Sequence, residues 1–315
     1  MSNYKPIIKK PQGHLEWLTE RNKGIGSSEI GIIMGVSNFM TPYDLYVRKT
    51  SAEQKEEQND MMTAGHMLEP IVAQYFELNT GKHVIKATAG DWVAYDPERP
   101  WLRVSPDRLY YRNGKSGERA ILECKTTQKV FSADDIPPAY FCQVQYQLGV
   151  MGLNAATLAW LRSGYDFGLC EIEFNPEFYR LMTDKATEWW HKHIEQGVPP
   201  EPVTAEDVRK YVPSLKATEI EASDDTISDI NSLREISLQI KQLETRKAEL
   251  QNRIAITIGT AESLVATGTD GSKATLATFK EQTRTSVDTK KLKAERPEIA
   301  EAYTSETTSR VLRIR

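Results

Sequence analysis

The chain has 315 residues, 39% of them hydrophobic and 27% charged, with a formal net charge of −4. This is an ordinary globular composition, the length fits one large domain plus an appendage or two domains, and the charge argues against a passive, basic nucleic-acid coat. No apolar run approaches the roughly 18 residues of a membrane span, no signal-peptide core follows Met1, and three scattered cysteines without a C-x-x-C pair speak for a reducing cytoplasm and against disulfides, zinc or iron–sulfur clusters.

Residues 1–13 read as an extended arm, followed by a short amphipathic helix over 15–21. Asn22–Ile30 is a loop with two glycines and two serines that leads into an apolar helix over 30–34, for which Ser27 or Ser28 is a cap. Two readings fit: a capped helix after a tight turn, or a phosphate site. The second uses free N–H groups at a helix start, with Arg21 folding back toward Ser28 as a bidentate ligand. Pro42–Lys49 continues as helix, and 52–60 is a charged surface loop. A helix over 61–79 ends at Thr80-Gly81, with Met61, Leu68, Ile71, Val72, Tyr75 and Phe76 as its buried stripe. Pro70 is expected to kink or break it. Gly65 and Glu69 share a face, either pointing a carboxylate into a cleft or leaving a surface glutamate at a kink.

Strands are expected over 83–88, 92–95 and 101–104, then a hairpin: Trp101–Tyr111, a turn at Asn113–Gly117, and Arg119–Lys125. The hairpin carries S-P-D (Ser105, Pro106, Asp107) and E-C-K (Glu123, Cys124, Lys125). The two-residue period of a strand sets Glu123 and Lys125 on one face and Cys124, a buried filler, on the other. Two carboxylates, Asp107 and Glu123, suit a hard cation such as Mg²⁺, and Lys125 can orient a water or stabilise charge on phosphorus. A bare D…ExK pattern also fits two edge acids and a solvated lysine. A polar loop over 126–138 precedes a helix over 140–153, where Gln143 and Gln147 lie four apart, either near a metal water or facing solvent. Strands over 155–161 and 168–174 and a helix over 176–197 complete a mixed α/β domain with a central sheet flanked by helices. His191 and His193, two apart, do not face together as metal ligands. The expected division is a nuclease-like domain over 1–205, a Pro-rich and acidic linker over 206–226, and an extension over 227–315. The extension holds a long amphipathic helix (Leu233, Ile236, Ile240, Leu243, Leu250, Ile254) and a small strand-containing cap with a basic tail.

Taken in order, R-x6-S (Arg21, Ser28), G-x3-E-P (Gly65, Glu69, Pro70), S-P-D, E-C-K and Q-x-Q (Gln143, Gln145) resemble the motifs of the YqaJ-like phage recombinase nucleases, relatives of lambda exonuclease in the PD-(D/E)xK superfamily. The resemblance covers about residues 14–197. It implies a Mg²⁺-dependent 5′→3′ exonuclease on double-stranded DNA ends, with Mn²⁺ able to substitute, leaving 3′ overhangs for a single-strand annealing protein. It further implies a toroidal homotrimer, phage or prophage origin and a bacterial cytoplasmic setting. By motif, Asp107, Glu123 and the Cys124 main-chain carbonyl hold metal, Lys125 orients the water, Glu69 supports the metal shell or a second metal, and Gln143 lies beside the metal water. Arg21, Ser28 and Ser105 contact the 5′-phosphate. Gln147 stands where RecB-like relatives carry Tyr, which places Tyr146 one residue early. A structure-specific endonuclease on the same fold and a non-catalytic DNA-end adaptor are the competing expectations.

Overall fold

The computed structural model describes residues 5–37, 39–51, 60–85, 92–213, 218–306 and 310–314. Outside them lie the start of the arm, residues 52–59 of the loop expected over 52–60, the end of the strand expected over 83–88 and part of the basic tail, while Asp60 already belongs to a helix. The chain divides into two units, Met1–Val212 and Pro213–Arg315.

In the first unit a short strand, β1 (Ile7–Lys9), leads into α1 (His14–Asn22). The chain then passes Gly24, where a Cβ would lie 2.3 Å from the carbonyl oxygen of Trp101, so only glycine permits this approach. Ile25 N–H donates to Trp101 O (2.6 Å) and Arg103 N–H to Ile25 O (3.1 Å), which stitches the loop to a strand far along the chain. The helix expected over 30–34 is a single turn, α2 (Ile30–Ile33), and neither serine caps it. Arg21 donates to the Ser28 hydroxyl (2.7 Å), while Glu29 folds back to accept the Gly26 N–H (2.7 Å). So short a helix has only a slight dipole, and any anion site here depends on Arg21.

Helix α3 (Pro42–Thr50) starts at a capping box between Thr41 and Asp44, with Pro42 in the first turn. Helix α4 (Asp60–Thr80) runs through Pro70 without ending, and Gly81, at φ 65°, terminates it. Its buried side is Val72, Ala73 and Phe76, in the C-terminal half only. Met61, 82% exposed, and Ile71 point outward, contrary to the expected stripe, and the first half of α4 borders a cleft through Met62, Gly65, His66 and Glu69.

A small antiparallel sheet joins β1, β3 (Val93–Tyr95) and β4 (Arg103–Val104). The main sheet orders β2 (Val84–Ile85), β5 (Arg108–Tyr111), β6 (Arg119–Thr127), β7 (Ala155–Arg162) and β8 (Asp166–Glu173) as β2-β5-β6-β7-β8. Only β6 and β7 are parallel, and α5 (Pro138–Met151) makes the crossover between them. The strand expected over 101–111 is thus two strands in two sheets. They part at Ser105-Pro106, where proline has no N–H to continue a ladder. The β5–β6 hairpin pairs Arg108 with Leu122 and turns through Gly114 and Gly117, both at positive φ.

Two apolar layers sandwich the main sheet. Ile121, Leu158 and Trp160 face α5 with Tyr146 and Leu148; Leu122, Cys124 and Leu161 face α4 with Val72 and Phe76. Helix α6 (Pro176–Trp189) packs on α5 and continues into a wider, π-type turn over Trp190–Glu195. The stretch expected as a linker from 206 begins with α7 (Ala205–Tyr211), whose Thr204–Asp207 capping box starts it. Asp207 accepts from the Thr41 hydroxyl (2.7 Å) and Tyr211 donates to Asp44 (2.6 Å), fastening α7 to α3.

In the second unit, α8 (Asp224–Ile258), capped by Ser223, is 35 residues long, about 52 Å at 1.5 Å per residue. A hairpin of β9 (Ser263–Thr267) and β10 (Lys273–Thr278) follows, with a bulge between Thr275 and Ala277. Two short helices, α9 (Thr289–Glu295) and α10 (Pro297–Ala302), stand where only strand and tail were expected. Their signals are local: Asp288 caps the first and Pro297 opens the second.

Candidate active site

The period of β6 aims Glu123 and Lys125 at α5 and Cys124 into the α4 layer. Lys125 Nζ donates to Glu123 Oε1 (2.7 Å) and to Gln143 Oε1 (3.1 Å). The Gln143 amide donates to the same Glu123 oxygen, and Gln147 Nε2 donates to the other, Oε2, at 2.8 Å. Asp107 stands just beyond the last β5–β6 pair, and its Oδ2 accepts the Cys124 N–H at 2.8 Å in place of a ladder partner. Glu69 reaches the same place from α4 and is ion-paired with Arg108, which also donates to Asp107 O at 2.6 Å. Gly65, one turn earlier, brings α4 close to Thr126: a Cβ there would lie 3.7 Å from the Thr126 hydroxyl.

These groups and the Arg21 loop line one cavity of about 290 Å³. Every residue expected to carry chemistry borders it: Asp107, Glu123, Cys124, Lys125, Glu69, Gln143, Arg21, Ser28 and Ser105. Trp17 and His66 join the wall. Arg21 lies over the Trp17 ring, 5.1 Å from its centroid.

Burial pushes the Asp107 carboxyl well above its ordinary range, and the charges of Glu123 and Glu69 push it further, against the opposing pull of Lys125. Glu69 is also raised, by burial first, with Arg108 opposing. For Lys125 burial works against the ammonium, but Glu123 and Asp107 outweigh it and raise the pKa. Lys125 is therefore a charged donor and not a base. Among the described residues no three His, Cys, Asp or Glu side chains close into a metal cage. The donor set is open, two carboxylates with a third nearby, and its negative charges raise the Asp107 pKa. That is the chemistry of a hard divalent cation that keeps much of its water.

The serine loop is braced from below. Glu29, buried, is ion-paired with Arg48 and with fully buried Lys49 (2.8 Å). Burial would raise its pKa, but Lys49, Arg48 and Arg21 hold it at about 2. Tyr146, also buried, donates to Ile25 O at 2.9 Å. Gln147, read from sequence as facing either solvent or a site, is fully buried and touches both Glu123 and Ser27 (3.2 Å). Its four-residue spacing from Gln143 was the available signal. Nothing local marked Arg108 or the Glu29–Lys49 pair.

A profile of the YqaJ-like viral recombinase domain matches residues 16–154. An uncharacterized protein, YqaJ, of Bacillus subtilis (strain 168) is 32% identical over 307 residues, covering 93% of this chain and 91% of its own length. Among solved structures, an alkaline exonuclease from Laribacter hongkongensis aligns with a TM-score of 0.45 at 16% identity, over 58% of this chain and 94% of its own. A phage-related exonuclease from Haemophilus somnus 129PT aligns at 0.41 and 12%, over 55% and 96%. The fold is a mixed α/β sheet flanked by helices, carrying a carboxylate–lysine cleft at the parting of its two sheets. The chain belongs to the YqaJ-like viral recombinase family.

Proposed function

We propose that the protein is a Mg²⁺-dependent 5′→3′ exonuclease that acts on double-stranded DNA ends and leaves 3′ single strands. The observation that carries this reading is the sharing of one cleft by two groups. Asp107, Glu123, Lys125 and Gln143 form one, and Arg21 with Ser28 forms the other. The first suits hydrolysis of a phosphodiester, and the second suits a terminal phosphate beside it.

Asp107, Glu123 and the Cys124 carbonyl are the residues that would hold the cation, with Glu69 as support. When bound, Mg²⁺ supplies a water of lowered pKa and neutralises charge on the phosphate; Mn²⁺ can take the same oxygen donors. Lys125, kept charged by its two carboxylates, orients that water and stabilises charge on phosphorus. Gln143 holds Lys125 and Glu123 together. Arg21, with Ser28 and Ser105, takes the 5′-phosphate and selects an end over an internal site. A homotrimer encircling the duplex would provide processivity on a chain of net charge −4, and an annealing protein in the bacterial cytoplasm would receive the 3′ strand.

The test is linear duplex labelled at either end of one strand, with and without Mg²⁺, beside a closed circle. Early mononucleotides from the 5′ end with the circle intact are expected. Nicking of the circle would instead make it an endonuclease, and end binding without cutting in Mg²⁺ or Mn²⁺ an adaptor.

A further inference from the structure

The proposed cleft has two ends, and one side chain joins them. Gln147 lies on α5 with no solvent exposure. Its Nε2 donates to Glu123 Oε2 (2.8 Å) and to Ser27 Oγ (3.2 Å), so one amide group spans the metal-binding carboxylate and the serine loop beside Arg21. The direction of the amide is fixed by chemistry, since an ionised carboxylate only accepts and the NH₂ must face Glu123. That leaves Gln147 Oε1 buried with no hydrogen-bond partner among the described residues. A residue serving only to fill the core would be better as leucine, which has no carbonyl to leave unpaired.

The other oxygen of Glu123 is held by Lys125 and Gln143, both on the chemical side of the cleft. Oε2 is the one whose recorded donor, Gln147, also contacts the loop. The geometry points to Gln147 as a positioning residue that couples occupation of the Arg21–Ser28 loop by a 5′-phosphate to the placement of the Glu123 carboxylate for the cation. This inference rests on the function proposed above. By linkage the coupling acts both ways: a phosphorylated end tightens the metal, and the metal tightens the phosphorylated end.

The experiment compares the full-length protein with its Gln147→Leu and Ser27→Ala variants, each first checked by thermal melting. Mg²⁺ affinity is measured by calorimetry with a short duplex whose terminal linkage is a non-hydrolysable phosphonate. The duplex carries either a 5′-phosphate or a 5′-hydroxyl. In the unaltered protein the phosphate is expected to tighten Mg²⁺ about tenfold, a typical coupling between sites. In either variant that ratio falls to about one, whatever its Mg²⁺ affinity without DNA. Cleavage follows the same split: on natural duplex in Mg²⁺ the variants lose the kcat/KM advantage of phosphorylated over hydroxyl ends. A variant that retains the tenfold ratio, or an unaltered protein that shows none, overturns the coupling while leaving an active nuclease. An unaltered protein that cuts no DNA in Mg²⁺ overturns the functional reading, and the coupling with it. Ser27→Ala breaks the same link from the loop side, so misfolding of the glutamine variant does not protect the proposal.

Discussion

Asp107 is a half-buried carboxyl with others close by, and its raised pKa has a thermodynamic consequence. Its ordinary value is 3.8, and the folded state raises it, so the unfolded chain releases this proton first as pH rises. Folding therefore carries no penalty from Asp107 below about pH 4 and a growing one above it, until the folded group also ionises. Asp107→Asn keeps the acceptor for the Cys124 N–H and removes the charge. Without metal it is expected to melt higher at pH 8, by about 2–4 °C per kcal/mol relieved, with the gain gone near pH 3.5. Mg²⁺ should raise the melting temperature of the parent and leave that of the variant unmoved. For turnover, Asp107→Ala or Lys125→Ala should lower the cutting rate by about 10³-fold or more while gel-shift binding of duplex survives. Normal turnover in either would remove the metal site. Arg21→Ala should slow digestion of 5′-phosphorylated ends far more than hydroxyl ends, and equal loss would remove the phosphate pocket. Glu123 and Lys125 were legible at this scale because the strand period alone puts them on one face, whereas Gln143 had two readings from its helix and was placed at the site only through the family's motifs. Arg21 and Ser28 were legible only through the family's motif order, since the loop that joins them had two plausible readings. Gln147 was not, because whether a helix glutamine is buried depends on the rotation of α5, and tertiary packing of Tyr146 and Leu148 sets that.

At the level of elements, the serine loop owes its shape to what lies beneath it. Glu29 is held at about 2 by Lys49, Arg48 and Arg21 against burial, from an ordinary 4.5. Its contribution is fully present above about pH 4.5 and is lost as pH falls through about 2, so acid unfolding should set in over that window. Glu29→Ala strands the Lys49 ammonium in the interior and is expected to destabilise by about 3–5 kcal/mol, measured by urea unfolding. A loss below 1 kcal/mol would show the pair to be dispensable. Sequence patterns located nearly every element of the first unit. They failed where a local preference met a tertiary one. The long helix α4 tolerates Pro70, and its first half lacks the expected buried stripe and borders the cleft. The run 101–111 is divided by Pro106 between two sheets that no local period distinguishes.

Across the whole molecule, the two main apolar layers come entirely from residues before 213, whereas α8 shows its seam to solvent, with Leu243 69% exposed. A chain ending at Val212 should therefore fold, keep the melting temperature of the first transition within a few degrees, and cut short duplexes within about twofold of the full rate. Unfolding of that fragment would show the second unit to be part of the core. The C-terminal unit was the least legible region, because α9 and α10 are announced only by single residues, Asp288 and Pro297, in a stretch whose polar–apolar alternation also fits a strand.

The stitching of Ile25 to Leu102 bears on what length of product leaves the cleft. The serine loop is pinned to β4, and the chain leaves β4 through Ser105-Pro106 to reach Asp107 just before β5 of the other sheet, so Ile25 and Asp107 are joined through one short stretch of backbone. In the exonuclease proposed above, that stretch would set the spacing between the 5′-phosphate site and the metal site. One extra residue inserted between Val104 and Asp107 lengthens it by roughly 3.3 Å, close to the roughly 3.4 Å step from one nucleotide to the next in duplex DNA. The ladder of products from such an insertion, resolved on a sequencing gel, should move from mononucleotides toward dinucleotides, whereas an enzyme whose cut site is set elsewhere would release the same fragments as before.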